Sequence, residues 1–155
     1  MKTVVVESPF EGGTPREVDN VVYLRRCLAD CFRRGEAPFA SHGLYPGVLD
    51  DTVPDERTLG IRAGWAIAHQ LDAWAWYLDR GLTRGMIAGF QFSFEVLHLM
   101  DAHLLNDTRL FRRFGDANEA QDCDPVLVMR EHPVLAQVVV MWSPSLANLW
   151  KIGQP

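Results

Sequence analysis

A β-branched run, Thr3 to Val6, leads into the loop Glu7-Ser8-Pro9-Phe10-Glu11-Gly12-Gly13 and then into Thr14-Pro15-Arg16-Glu17. β-Branched side chains favour a buried, pleated strand. The Pro and Gly that follow break it. Thr14 can cap a helix, Pro15 suits the first helical position and Glu17 completes a capping box. Val18, Val21, Val22, Leu28, Cys31 and Phe32 then recur at helical spacing to Arg34, and Gly35 stops the helix. Strand, loop and helix are half of a βαβ unit. Such a unit commits the chain to a parallel sheet with right-handed crossovers.

The same grammar returns along the chain. Ala37 to Ala40 is a weak strand, interrupted by Pro38, and Ser41 to Val53 is a long loop. Thr52-Val53-Pro54-Asp55 opens a second helix that runs to about Gln70. Its Gly60 and Gly64 allow another segment to approach closely. Ala73 to Leu78 is the clearest strand and Asp79 ends it. Thr83 can cap a third helix, striped by Met86, Ile87, Phe90, Phe94, Leu97 and Met100, that extends to about Leu105. Asp107 to Asp124 is polar and carries no clear element. Val126 to Met129 and Val138 to Trp142 read as strands, and Ser143-Pro144-Ser145 starts a short helix or coil. Strands alternating with helices predict an α/β domain with a mainly parallel sheet.

The chain has 155 residues, enough for one domain with its own core, and is 48% hydrophobic. Its net charge of −5 argues against a nucleic-acid coat or a polybasic membrane binder. The start has no secretory pattern, and Met86 to Met100 is too short and too polar to span a bilayer. Cys27, Cys31 and Cys123 form no paired ligand spacing, so a reduced, cytoplasmic setting is expected.

In an open α/β sheet, ligands bind outside the carboxyl ends of the strands. That rule selects three loops: Glu7, Ser8, Pro9 and Phe10 after the first strand; Ser41 and His42 after the second; and Asp79, Arg80, Thr83, Arg84 and Gly85 after the third. Together they supply acids, hydroxyls, an imidazole, arginines and a helix start suited to an anion. Each has a plainer alternative. Glu7 can be a solvated loop acid, Ser8 a turn residue, His42 a backbone pin, Asp79 a strand cap, and Thr83 and Arg84 ordinary first-turn residues. Cys27 and Cys31 share a helix face and read as core. His98, His103 and Cys123 do not have metal-ligand spacing, and no metal or cofactor is expected. Trp65, Trp74 and Trp76 can stack a base, but Trp74 and Trp76 share one strand face and suit the core or a subunit contact.

These residues resemble the nucleoside 2-deoxyribosyltransferase superfamily. Val4-Val5-Val6-Glu7-Ser8-Pro9-Phe10 is similar to its opening strand and substrate loop. Asn20, Gly35 and Pro38-Phe39-Ala40-Ser41-His42 resemble the next stations, and Asp79 with Gly85-Met86-Ile87-Ala88-Gly89 resembles the third. Gly47-Val48-Leu49-Asp50-Asp51 and Leu59-Gly60-Ile61 are similar to short phage-encoded members. The resemblance covers roughly residues 3 to 90; residues 106–155 diverge from it. It implies a single flavodoxin-like domain over residues 1–155, a nucleoside or nucleotide ligand, a homodimer or higher homo-oligomer, and residence in the cytoplasm, the host's if the chain is phage-encoded. It also implies a glutamate nucleophile where this chain has Ile87, which cannot attack a sugar carbon. Asp79 or Glu7 then takes the carboxylate role in cleaving or transferring an N-glycosidic bond. Ser8, Pro9, Phe10, His42, Thr83, Arg84, Gly85 and Met86 hold the ligand. One alternative is a non-catalytic nucleotide-binding protein, such as a phage protein that sequesters a host signalling nucleotide. Another is an assembly subunit without a ligand.

Overall fold

The computed structural model describes residues 1–97 and 109–142. In chain order the elements are β1 (Lys2–Glu7), α1 (Glu17–Arg33), β2 (Glu36–Phe39), two 3-10 turns (Ser41–Gly43 and Tyr45–Gly47), α2 (Pro54–Ala68), β3 (Ala73–Tyr77) and α3 (Arg84–Leu97). After residue 108 come β4 (Arg109–Phe114), β5 (Ala120–Asp122), α4 (Pro125–Glu131) and α5 (Pro133–Trp142). The five strands form one sheet in the order β2-β1-β3-β4-β5. β1 to β4 are parallel and β5 is antiparallel to β4. This is the flavodoxin-like strand order, with its topological switch between β1 and β3.

The period-2 alternation of the strands divides the core into two layers. On one face Val5, Trp74, Trp76 and Phe111 pack with Met86 and Phe90 of α3, Val128 of α4 and Leu135 and Val138 of α5. On the other, Val4, Val6, Ala73, Ala75 and Tyr77 meet Tyr23, Leu24, Cys27 and Cys31 of α1. Trp74 and Trp76 are therefore core residues on a shared face, and Cys27 and Cys31 are buried core thiols. Buried apolar area of this kind is the main favourable term in folding.

Local signals act much as the sequence predicts at α3. There the Met86 amide donates to Thr83 Oγ1 at 3.3 Å, so Thr83 caps the helix. Gly35 ends α1 with φ +73, a backbone state that side-chain-bearing residues avoid. The start of α1 differs from the expected capping box. The helix begins at Glu17, and the Glu17 carboxylate accepts from the Gly13 amide at 2.8 Å instead of pairing with a Thr14 cap.

Two larger differences lie in the last third. Val126 to Met129 and Val138 to Trp142 are helical, not strands. Asp124 accepts from the Val126 amide at 2.8 Å and Pro125 takes the first helical position, so a strong start signal overrides the β-propensity of the valines. Pro133 opens α5 in the same way, and Leu135, Val138 and Val139 are buried at helical spacing. The further strands are instead β4 and β5, inside the stretch read as polar. Arg112 of β4 is buried because its guanidinium forms a bidentate pair with Glu36 of β2, at 2.6 and 2.8 Å. Asp30 of α1, also buried, accepts from Tyr77 Oη at 2.9 Å and from the Ala120 amide of β5 at 3.0 Å. The expected extension of the third helix to Leu105, the residues His98 and His103, and the C-terminal helix or coil lie outside the described residues.

Candidate functional site

Because β1, β2 and β3 are parallel, the loops after them share one edge of the sheet. A cavity opens there, at the switch between β1 and β3. Glu7, Ser8 and Phe10 come from the end of β1, and Ser41, His42 and Tyr45 from the 3-10 turns after β2. Gly60, Ile61, Gly64 and Trp65 of α2 form one wall, and Thr83, Gly85, Met86 and Gly89 at the start of α3 form another. Seven of the expected site residues thus meet in one place: Glu7, Ser8, Phe10, His42, Thr83, Gly85 and Met86.

Two glycines make room for this arrangement. A Cβ at Gly89 would lie 2.6 Å from Glu7 Oε1, and a Cβ at Gly64 would lie 2.7 Å from the Ser41 Cβ. Of the two glycines expected to admit a close neighbour on α2, Gly64 does so, and the neighbour is the turn that carries Ser41 and His42; at Gly60 a Cβ would meet Leu49 and Tyr45 at ordinary contact distances of 3.4 and 3.6 Å.

The polar groups are set by burial. Desolvation pushes the Glu7 carboxyl up from the ordinary 4.5 to about 8, so it holds its proton at neutral pH. The Glu7 carboxyl has no hydrogen-bond partner among the described residues. Burial pushes the His42 imidazole down from 6.5 to about 4, so it is neutral. His42 Nε2 and Ser8 Oγ are hydrogen-bonded at 2.9 Å, and the Phe10 ring lies 5.9 Å from the imidazole. The other carboxylates on the wall are already engaged. Asp51 is paired with Arg57 and accepts from the Gly12 amide at 3.3 Å, while Glu56 accepts from the Asp50 amide at 2.7 Å. Trp65 stacks on Phe92 with centroids 4.4 Å apart, which fixes the indole as a flat wall.

Pro9 and Arg84 lie in a second, more polar cavity beside the first. It is lined by Glu11, Arg16, Asp19, Asn20, Arg80 and Leu82 as well, and it shares Phe10, Arg57, Thr83 and Gly85 with its neighbour. Asp79 lines neither cavity. Its Oδ1 accepts from Tyr23 Oη at 2.5 Å and from the Phe114 amide at 3.2 Å, on the α1 side of the sheet. Ile87 also stays out of the first cavity and packs against the apolar layer around Met86 and Phe90. The carboxyl that faces the cavity therefore arrives from β1, not from the start of α3. Sequence reasoning did not assign Gly89, Gly64, Arg57 or Asp51 to the site. Their roles depend on contacts between segments far apart in the chain.

No group of three or more His, Cys, Asp or Glu among the described residues could hold a metal ion. No helix among them is long and apolar enough to cross a membrane. Fold and site define an α/β domain with a two-part cavity at the carboxyl edge of its sheet. The chain belongs to the family described as a domain of unknown function, DUF7768, whose model matches residues 2–97. That stretch runs from β1 through α3 and holds every residue that lines the two cavities. No curated protein and no solved structure matches the chain.

Proposed function

We propose that the first cavity binds the base and sugar of a nucleoside or nucleotide, and that Glu7 acts on its N-glycosidic bond. The observation that carries this reading is the protonated, unpartnered Glu7 carboxyl facing a cavity walled by Phe10, Tyr45, Ile61 and Trp65. Flat apolar walls suit a base, and the Ser8–His42 pair offers a donor and an acceptor to sugar hydroxyls. A carboxyl with a pKa near the working pH is matched to proton transfer. Glu7 gives its proton to the leaving base as the bond from C1′ to nitrogen breaks. Water then adds to the sugar cation and returns a proton to the Glu7 carboxylate, so the products are free base and free sugar. This differs from the nucleophile role that the resemblance implies for a carboxylate, because an acid that is neutral at pH 7 donates before it attacks.

A second reading, binding without turnover, draws on the placement of Ile87 and Asp79. Neither brings a second carboxylate to the sugar, and Asp51 and Glu56 are held by Arg57 and a backbone amide. A thermal-shift screen with deoxynucleosides and nucleotides, followed by chromatography for released base, separates the readings. A ligand at 100 times its dissociation constant stabilises by about 2.7 kcal/mol, which is easily seen as a shift. Stabilisation with release of base supports the enzyme. Stabilisation with intact ligand supports the binding protein. The absence of any shift removes both and favours an assembly role.

A further inference from the structure

We propose that Trp76 is a positioning residue for Glu7: its indole N–H donates to the carboxylate that forms when Glu7 gives up its proton. The proposal deepens the reading of Glu7 as the acid of the first cavity and rests on it. Glu7 and Trp76 are register partners on the parallel strands β1 and β3. Neighbouring strands run about 4.8 Å apart, and residues two apart on a strand share a face. Glu7 is two residues beyond Val5, so it leaves the sheet on the face that carries Val5, Trp74 and Trp76. Consecutive residues of α3 cover the pair. Gly89 stands against the Glu7 carboxyl, and the Phe90 ring meets the indole edge-on with centroids 5.2 Å apart.

The independent sign is the indole nitrogen. Trp76 is fully buried, and its Nε1 has no hydrogen-bond partner among the described residues. That N–H is the one polar group of the side chain, and leaving it unmet in the core is unfavourable. Phenylalanine fills the same layer without that cost, as Phe90 and Phe111 do beside it. An idle donor in the core gains a use if an anion forms next to it. Glu7 becomes that anion when it protonates the leaving base, and burial keeps water from solvating the charge. A hydrogen bond to an ionised acceptor is about twice as strong as one to a neutral group, so the indole favours the state in which the proton has been given. The other ionisable groups that face the first cavity are His42, Tyr45, Asp51, Glu56 and Arg57, and none comes from β3 or α3. His42 is bonded to Ser8, Asp51 is paired with Arg57, and Glu56 holds the Asp50 amide.

The test is an NMR titration of the full chain from acid to alkaline pH, without ligand. Contacts with the Phe90 and Phe111 rings identify the Trp76 Nε1–H signal, and contact with Phe92 sets Trp65 apart. The Trp76 proton is expected to move downfield with the same midpoint as the Glu7 carboxyl carbon, well above the ordinary 4.5, and to stay still in Glu7→Gln. Trp76→Phe keeps an aromatic ring in the layer and deletes the donor. In it the Glu7 midpoint should rise by about one pH unit or more, a tenfold gain in proton affinity. A Trp76 signal that stays still while Glu7 titrates above neutrality overturns the pairing and leaves Glu7 as the acid. A signal that moves equally in Glu7→Gln, or an unchanged Glu7 midpoint in folded Trp76→Phe, does the same. A Glu7 midpoint near 4.5 removes the acid reading, and the role of Trp76 falls with it. If Trp76→Phe does not fold, the comparison of the unaltered protein with Glu7→Gln still decides.

Discussion

Gly89 of α3 stands against the Glu7 carboxyl of β1, so closely that a Cβ at position 89 would fall 2.6 Å from Oε1 and 3.0 Å from Cδ. The contact involves the far end of a flexible side chain, which can swing away. Alanine in a helix interior is favoured over glycine by about 1 kcal/mol. Gly89→Ala should therefore leave stability close to that of the unaltered protein, or raise it, while moving the carboxyl out of its place. Ligand-induced shifts in Tm and any release of base should fall together in this variant. A Gly89→Ala protein that keeps its ligand response would show that the position of Glu7 is immaterial.

The raised pKa of Glu7 makes a prediction about stability and pH. Below about pH 4.5 the carboxyl is protonated in the folded and the unfolded chain, and burial brings no penalty. Between about 4.5 and 8 the unfolded chain has lost the proton that the folded chain keeps, so stability falls as pH rises. Above about 8 both are ionised and the loss is complete. Glu7→Gln removes this dependence. The Tm of Glu7→Gln minus that of the unaltered protein should climb across the window and then level off. A difference that is flat with pH would mean that Glu7 titrates as a solvated acid.

His42 works in the opposite direction. Its folded pKa of about 4 lies below the ordinary 6.5, so the stability tied to the neutral imidazole is complete above pH 6.5 and is lost as pH falls toward 4. The carbon-bound proton signals of the ring should titrate near pH 4 in the folded protein, and His42→Gln should flatten the acid limb of the stability curve. A midpoint above 6 in the NMR titration would place the imidazole in water and open the cavity floor.

Much of this was legible in the sequence, and what was not has physical reasons. β1, β3 and the start of α3 are readable because apolar runs are bounded by Pro, Gly and capping residues. The strand-end rule then places Glu7, Ser8 and His42 at one edge without any contact being known. β4 is hidden because Arg109 and Arg112 point inward, where the pattern asks for apolar residues. The group that permits Arg112 there, Glu36, is 76 positions earlier in the chain. Asp79 is correctly read as ending β3. Which way its carboxylate turns is set by Tyr23 and Phe114, and neither could be inferred from spacing. Gly89 and Asn20 shape the two cavities only through segments that the fold brings together.

The hidden strand can be tested through its ion pair. Arg112 and Glu36 are both buried and pair through two nitrogens and two oxygens. Removing Glu36 leaves the buried Arg112 with the exposed Asp122, 3.5 Å away, as its remaining ion-pair partner, so Glu36→Ala should lower the unfolding free energy by about 3–5 kcal/mol in urea titrations. Replacing both, with Glu36→Leu and Arg112→Met, should restore much of that loss, because it leaves no unpaired buried charge. A cost for Glu36→Ala below about 1 kcal/mol, the range of exposed pairs, would mean that the strand end is wet.

Asp79 can be tested as a structural acid. Its carboxylate ties Tyr23 of α1 to the Phe114 amide of β4, and burial pushes the Tyr23 phenol well above its usual range. Asp79→Ala leaves both donors without their acceptor and should cost about 1–3 kcal/mol. Tyr23→Phe should cost less, and the two changes should be non-additive because they delete the same bond. Since Asp79 lines neither cavity, the ligand-induced rise in Tm should be the same size in Asp79→Ala as in the unaltered protein, measured from a lower starting point. A variant with unchanged stability and no ligand response would reverse this assignment: the carboxylate would have to turn from Tyr23 into the cavity when ligand binds.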